Sequence, residues 1–436
     1  MLLKTKLKVT GIGKIPEDWV ISTVGDHVEI KHGYAFKGEF FSDEPNQNLL
    51  LTPGNVKIGG GFKQDKFKYT TEKFPEEYIL EPGNIIVTMT DLSKGGDTLG
   101  YAAKIPKTVS KRFLHNQRLG RLVFKSKKIS QDFLYWVLRQ RKYNQTIVGS
   151  SSGSTVKHTS PTKIMQYTFA VPSFIIEQEK IAKVLSDLDA KIELNREMNK
   201  TLESIAEALF KHWFIDFEFP NEEGKPFKSS GGKMVDSEQG KIPEGWKITP
   251  LDEAAEFLNG LALQEFPATG DTYLPVIKIA ELNRGITDST DRASYGLPEK
   301  YIVNNGDLLF SWSGSLNVVL WCSGKGALNQ HLFKVSSETY PKWFVYLWLK
   351  VHLSYFQQIA AGKATTMGHI QRHHLSEAKV LVPLSKTLDI MDKVMTPIIE
   401  KFVENKLESK NLADIRDLLL PRLMSGKIRV PIEVKA

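Results

Sequence analysis

The chain has 436 residues, 41% of them hydrophobic, with 58 Lys and Arg against 50 Asp and Glu. That is enough apolar material for two buried cores, which excludes a disordered chain. A lone Cys322 excludes an internal disulfide, argues against a cysteine zinc site and is read as a small buried residue of a reducing cytosol.

The opening MLLKTKLKVTGIGK lacks an apolar signal core, and no run approaches the length of a membrane span, so a cytoplasmic protein is expected. KIPEDWVISTV at 14–24 then returns as KIPEGWKITPL at 241–251. Further matches follow in order: YILEPGNIIVT with YIVNNGDLLFS, HNQRL with LNQHL, and STVKH with TTMGH. The offset falls from 227 to 210 along the chain, as loops in the second copy shorten. Each copy is about 200 residues long, the size of a domain with an appended element.

Within a copy the first part, 14–172 or 241–383, has short strand-like runs broken by Gly, Pro, Asn and Asp. Each copy also has one aromatic helix, DFLYWVLRQ at 132–140 and KWFVYLWLKV at 342–351. Phe133, Trp136 and Val137 share a face, as do Trp343, Tyr346 and Leu347, and both stripes are read as core. Residues 101–163 hold fourteen basic residues and one acid, Asp132. The matching 318–376 stretch holds six and one, Glu338. A basic surface repeated at one place in each copy points to a phosphate backbone, with a solvated basic face that aids solubility as the alternative.

The second part of each copy is a long helix. In copy one Leu188, Ile192, Asn195, Met198, Leu202, Ile205 and Leu209 recur in steps of three and four. In copy two Ile398, Phe402, Asn405, Leu412, Ile415 and Leu419 do the same, with Glu408 interrupting. This is a coiled-coil seam. Residues 177–213 would form a rod of roughly 55 Å, and Pro397 is expected to kink or delay the second helix. Asn195 and Asn405 stand at equivalent positions, which suggests antiparallel pairing with the two amides facing. Either Asn as a solvated flank residue is the alternative. Residues 177–216 carry nine acids and six basic residues, so the helices are not the DNA-gripping part. Residues 218–240 are polar and read as a linker.

No phosphate loop, dinucleotide fingerprint or amino-methyltransferase motif occurs. The His cluster at 369–374, with Glu377, is read as a basic DNA-facing loop in preference to a metal site. Metal ligands are therefore not assigned, and no catalytic residues are.

Taken in order, KIPEDW, YILEPGNIIV, HNQRL, GSSSGSTVKH, AVPSFIIEQEKIAKVLSDLDAKI and ALFKHWF resemble the specificity subunit of Type I restriction-modification systems. The second round ends in LLLPRLMSGKI and lacks the Glu-Gln that follows the proline segment in copy one. The resemblance implies an α+β fold with an internal pseudo-twofold repeat. Two globular target recognition domains, 1–172 and 241–383, would be separated by an antiparallel pair of long helices, 173–217 and 384–426, forming a coiled-coil spacer. The 218–240 linker and a 427–436 tail complete the chain. It further implies that the chain binds double-stranded DNA at an asymmetric bipartite site and docks two modification (methyltransferase) subunits and restriction/translocase subunits. The chain itself would be non-catalytic and bind no cofactor. S-adenosylmethionine, ATP and Mg²⁺ would belong to the partners. A stand-alone double-headed DNA-binding regulator is the alternative.

DNA-contacting candidates in copy one are Tyr34, Lys37, Thr88, Thr90, Asp91, Ser93, Arg118, Ser151, Ser152, Ser154, Thr155, Lys157 and His158. Copy two offers Ser311, Trp312, Ser313, Ser315, His331, Lys363, Thr365, Thr366, His369 and Arg372. Lys and Arg hold phosphates and polar side chains read base edges. Asn116 and Gln117, like Asn329 and Gln330, either read adenine or carry structural hydrogen bonds.

Overall fold

The computed structural model describes residues 6–64, 67–108, 111–362 and 368–431. The chain divides into two units, Met1–Ala190 with Ala413–Ala436, and Lys191–Leu412.

In the first unit the apolar run Ile85–Thr88 is buried at every position, because it lies inside a four-stranded antiparallel sheet. Its neighbours are Ala102–Lys104 and Leu119–Phe124, and Val28–His32 lies beyond the latter. A second sheet pairs Asn48–Leu50 in parallel with Arg112–Leu114, which also pairs with Ile79–Leu80. The second unit repeats this plan. Leu308–Ser311 lies between Val318–Leu320 and Leu332–Ser336, with Glu256–Asn259 at the far edge. Tyr273–Ile277 runs parallel to Gly326–Leu328, which pairs with Ile302–Val303. The turns entering the two central strands match as well. Gly83 and Gly306 adopt φ of +89° and +86°, a conformation open to glycine at no steric cost. Asn84 and Asp307 complete the turns by accepting from the N–H of Glu81 (3.2 Å) and of Asn304 (2.8 Å).

The aromatic helices are core, as their stripes predict. Gln131–Val137 buries Phe133, Leu134, Tyr135, Trp136 and Val137, and Lys342–Ala361 buries Trp343 to Leu349. In the first unit the helix stops at Leu138, and a separate helix, Arg141–Gly149, follows.

The long helices run Ile175–Phe210 and Ser385–Met424. Pro397 does not delay the second: the helix starts at Ser385 and is continuous through it, with the proline on the exposed side. Met391, Met395, Ile399 and Phe402 on the opposite face are buried. Within the second unit the two helices are antiparallel. Lys191 meets Glu408 at 3.2 Å, Asn195 donates to Glu408 (2.7 Å) and to the Asn405 carbonyl (3.4 Å), and Asn199 donates to the Phe402 carbonyl (3.1 Å). The Asn405 amide reaches the Asn199 side chain at 3.0 Å, so its side-chain partner is Asn199 and not Asn195. Both seam asparagines are buried and neither is a solvated flank.

Two seam assignments are corrected. Ile205 is 42% exposed and Ile415 is 47% exposed, while Ala206 is buried in place of Ile205. Arg416, beside Ile415, turns inward to Asp189 at 2.5 Å. A straight helix of 3.6 residues per turn drifts by about 20° per heptad from a 3.5-residue seam, so the buried stripe steps forward one residue. Ile192 is buried, and Leu188, Leu202, Leu209, Ile398, Leu412 and Leu419 are half-buried.

The 218–240 segment is not a free linker. Phe219 stacks on Trp246 at 5.0 Å and Phe227 stacks on Phe219 at 4.5 Å. Met234–Ser237 forms a hairpin with Gly240–Pro243. Polar composition hid two aromatic anchors, Phe219 and Phe227. In the first unit residues 427–431 of the tail are likewise packed. Arg429 lies over Trp19 (5.9 Å) and pairs with Asp18 at 2.8 Å and with the fully buried Glu177 at 2.6 Å. Glu177 and Gln178 are the Glu-Gln that copy two lacks. Gln178 accepts from the Ser130 N–H at 2.8 Å and donates to the Pro172 carbonyl at 2.9 Å.

Candidate nucleic-acid interface

Each unit builds the same strip of backbone from four distant segments. In the first, the Tyr34 N–H donates to the His115 carbonyl (2.8 Å) and the Gln117 N–H to the Tyr34 carbonyl (3.0 Å). The Met89 N–H donates to the Arg118 carbonyl (3.0 Å), and the Thr159 N–H to the Met89 carbonyl (3.0 Å). In the second, Gln330 donates to Leu261 (2.9 Å), Trp312 to His331 (3.3 Å) and Ile370 to Trp312 (3.0 Å). Thr90 pairs with His158 as Ser313 pairs with His369. Gly33 and Gly260 make the close approach possible. A Cβ at either would lie 2.3 Å from the backbone of Asn116 or Asn329. Sequence reading passed over both glycines, although they stand at the offset of the Trp19 and Trp246 motifs.

The structure separates the candidates into those that hold the strip and those that face out of it. Thr88 and Ser311 are fully buried, and their hydroxyls donate to the Thr98 and Ser315 carbonyls respectively. Asp91 is buried and accepts from the N–H of Ser93 (2.7 Å), and from the N–H (2.5 Å) and hydroxyl (2.7 Å) of Thr98. Burial works to raise its pKa, but these donors outweigh it and hold the carboxyl below its ordinary value. Thr90 (7% exposed, 3.3 Å from His158 Nδ1) and Ser313 (3% exposed, 3.0 Å from His331 Nδ1) are also spent internally. As base readers, Thr88, Thr90, Asp91, Ser311 and Ser313 are therefore corrected to supports. Thr88 and Ser311 end strands that the sheets bury completely, and Thr90, Asp91 and Ser313 follow them, so the polar residues there enter the core with the strands. Thr98, which clamps Asp91, carried no sequence signal.

Asn116 and Asn329 are buried and accept from the N–H of Arg118 (3.2 Å) and His331 (3.3 Å). Their role is structural. Gln117 and Arg118 are exposed. Ser152 closes a hairpin with His158 through two backbone bonds, 3.0 and 2.9 Å, around Gly153. Ser154, Thr155 and His158 are exposed on it, and Lys157 is half-buried. Ser151 caps the preceding helix through the Val148 carbonyl (2.7 Å), and Ser93 accepts from the Asp97 N–H (2.9 Å). Tyr34 lies half-buried between Phe36 (4.9 Å) and Tyr78 (5.3 Å), and Lys37 is exposed.

In the second unit Trp312 donates to Asn259 (3.0 Å), a residue sequence reading did not single out, and faces His331 (5.9 Å) and His369 (6.3 Å). Ser315 and Arg372 are exposed, and Arg372 lies over Phe333 at 5.8 Å. Lys363, Thr365 and Thr366 lie outside the described residues.

Exposed Lys107, Lys111, Arg112, Arg118, Lys125, Lys127 and Lys128 give the first unit its positive surface. His115, beneath the Asn116 turn, donates from Nε2 to the Leu119 carbonyl (2.9 Å). Burial pushes its pKa down to about 4. A carbonyl only accepts, so Nε2 carries the proton.

Among the described residues, His373, His374 and Glu377 bring ligand atoms within 4.8 Å of one another. His374 Nδ1 accepts from the Gln371 N–H at 2.9 Å. That places the proton of a neutral ring on Nε2 and removes its lone pair from metal binding. The arrangement therefore fits a helix cap better than a metal centre. No helix of the described residues is long and apolar enough to cross a membrane.

Comparison with known proteins agrees with this repeated architecture. The chain is 27% identical to the MjaIX Type I restriction enzyme specificity subunit of Methanocaldococcus jannaschii, over 98% of this chain and 97% of that one. It is 28% identical to the HindI specificity subunit of Haemophilus influenzae, over 58% of this chain and 67% of the relative. The crystal structure of a Type I restriction-modification S subunit from M. genitalium shares the fold, with a TM-score of 0.53 at 18% identity, covering 97% of this chain and 99% of that one. The Type I restriction modification DNA specificity domain matches twice, at residues 16–204 and 243–416, and the chain belongs to that family.

Proposed function

We propose that this chain is the DNA-reading, non-catalytic subunit of a Type I restriction-modification complex. Its two units each read one half of an asymmetric, bipartite duplex site. The long helices set the spacing of the half-sites and dock methyltransferase subunits, two per chain, with restriction/translocase subunits completing the complex. S-adenosylmethionine, ATP and Mg²⁺ then act in those partners, in the cytoplasm. The observation that carries the reading is the strip built twice from matching segments, with different outward side chains in each unit. One scaffold with two sets of contacts is what two unlike half-sites require.

Single-molecule sequencing of host DNA tests this. Deleting the gene should erase methylation at one bipartite motif, and restoring it should bring the motif back. Unchanged methylation after deletion, with DNA binding by the purified chain intact, would instead favour a stand-alone regulator.

A further inference from the structure

The strip leaves few side chains free to meet a base. In the first unit the turn Asn116-Gln117-Arg118-Leu119 is pinned at every residue. Asn116 Oδ1 accepts from the Arg118 N–H (3.2 Å), and the Asn116 carbonyl accepts from the Leu119 N–H (2.9 Å). The Gln117 N–H reaches Tyr34, and the Arg118 carbonyl receives Met89. The second unit pins Asn329-Gln330-His331-Leu332 with the same bonds, to Leu261 and Trp312. Asn116, Asn329, Leu119 and Leu332 are all buried. Only the two middle residues of each turn point outward.

At the third position the two units diverge. Arg118 is exposed and forms no ion pair among the described residues, whereas Arg139, Arg416 and Arg429 are each held by carboxylates. His331 is half-buried, with Nδ1 tied to the Ser313 hydroxyl at 3.0 Å and its ring beside Trp312. That leaves Nε2 as its one nitrogen for a ligand. A guanidinium offers two parallel donors, which match O6 and N7 of guanine in the major groove, while a tied imidazole makes a single bond. A side chain rooted on a backbone pinned this tightly suits base readout, where position must be held to a fraction of an ångström.

Resting on the DNA-reading function above, we propose that Arg118 and His331 are equivalent specificity-determining residues, one per half-site. Arg118 reads a guanine, and His331 sets the corresponding base pair of the other half.

Selection of the full-length chain against a randomised duplex pool tests this, with wild type, Arg118→Ala, Arg118→His and His331→Arg. The Arg118 side chain is exposed and that of His331 half-buried, and thermal melting of each variant checks that folding is kept. Arg118→Ala should flatten preference at one base pair of one half-site, by roughly 10- to 100-fold, and leave the other half-site unchanged. Arg118→His should change the preferred base there, and His331→Arg should alter only the other half-site. If Arg118→Ala weakens all sequences equally and keeps the wild-type motif, the residue is a phosphate contact and the proposal is overturned. If wild type itself enriches no bipartite motif, the DNA-reading function fails, and the proposal with it.

Discussion

Replacing Asp189 with Ala should unfasten the first unit from its helices. Asp189 sits on the first long helix and pairs with Arg139, from the segment after the aromatic helix, and with Arg416 of the second long helix, at 2.5 Å. The Arg139 side chain is only 5% exposed. Its remaining partners are the Gly59 carbonyl (3.0 Å), the Tyr135 hydroxyl (3.2 Å) and the Trp136 ring (4.2 Å), none of which carries charge. Removing one partner of a buried pair costs about 3–5 kcal/mol, because the other charge stays desolvated and unpaired. The neutral partners that remain favour the lower end, about 3 kcal/mol, or roughly a hundredfold in the opening equilibrium. The assay is amide hydrogen exchange of Phe133–Val137, which reads the first unit alone where a global melt mixes both units. Asp189→Ala should speed exchange there by about that factor and leave the Trp343–Leu349 amides unchanged. Adding Arg139→Met removes the stranded charge and should recover part of the loss. A loss under about 1 kcal/mol, or a double variant no better than the single one, would refute the reasoning. Burial works to raise the Asp189 pKa, but the two guanidinium groups outweigh it and hold the carboxyl below its ordinary value. Its contribution is therefore complete above the unfolded value of about 3.9 and is lost as pH falls through the lower folded value.

Asn405→Leu should cost about 1–3 kcal/mol, by leaving the Asn199 side-chain oxygen Oδ1 buried without its donor. Thermal melting reads this, and adding Asn199→Leu should return part of it. Gly153→Ala should open the 152–158 hairpin, since φ is +93° and a Cβ would lie 2.0 Å from the Val156 carbonyl. Titration with DNA should show weaker binding, with the melting temperature little changed. His115, held neutral with a folded pKa of about 4, makes the first unit less stable as pH falls from about 6.5, where the unfolded chain takes up a proton. The loss ends near the folded value, and His115→Gln should flatten the profile as read by hydrogen exchange of Leu119–Phe124.

Much of this protein is local chemistry and could be read from the chain. The repeat, the two long helices and the core aromatic stripes follow from spacing, and the turns at Gly83 and Gly306 from a backbone only glycine takes up freely. The segments that form the recognition strip were also legible, because His115-Asn116-Gln117 and Leu328-Asn329-Gln330 recur at a shared offset.

What local pattern could not decide was the direction each polar side chain takes. Thr88, Asp91 and Ser311 look like exposed residues past a strand, yet Thr88 and Ser311 end the strands themselves, and the surrounding sheet and loops bury all three. Phe219 and Phe227 sit in polar company and become core only because Trp246 is folded against them. Ile205 and Ile415 fit a seven-residue seam but turn to solvent, since the drift of a 3.6-residue helix accumulates along its length. The second helix closes the first unit for a similar reason. Residues 413–436 belong with 1–190 because antiparallel pairing carries them there, a contact between distant segments that no window of sequence contains.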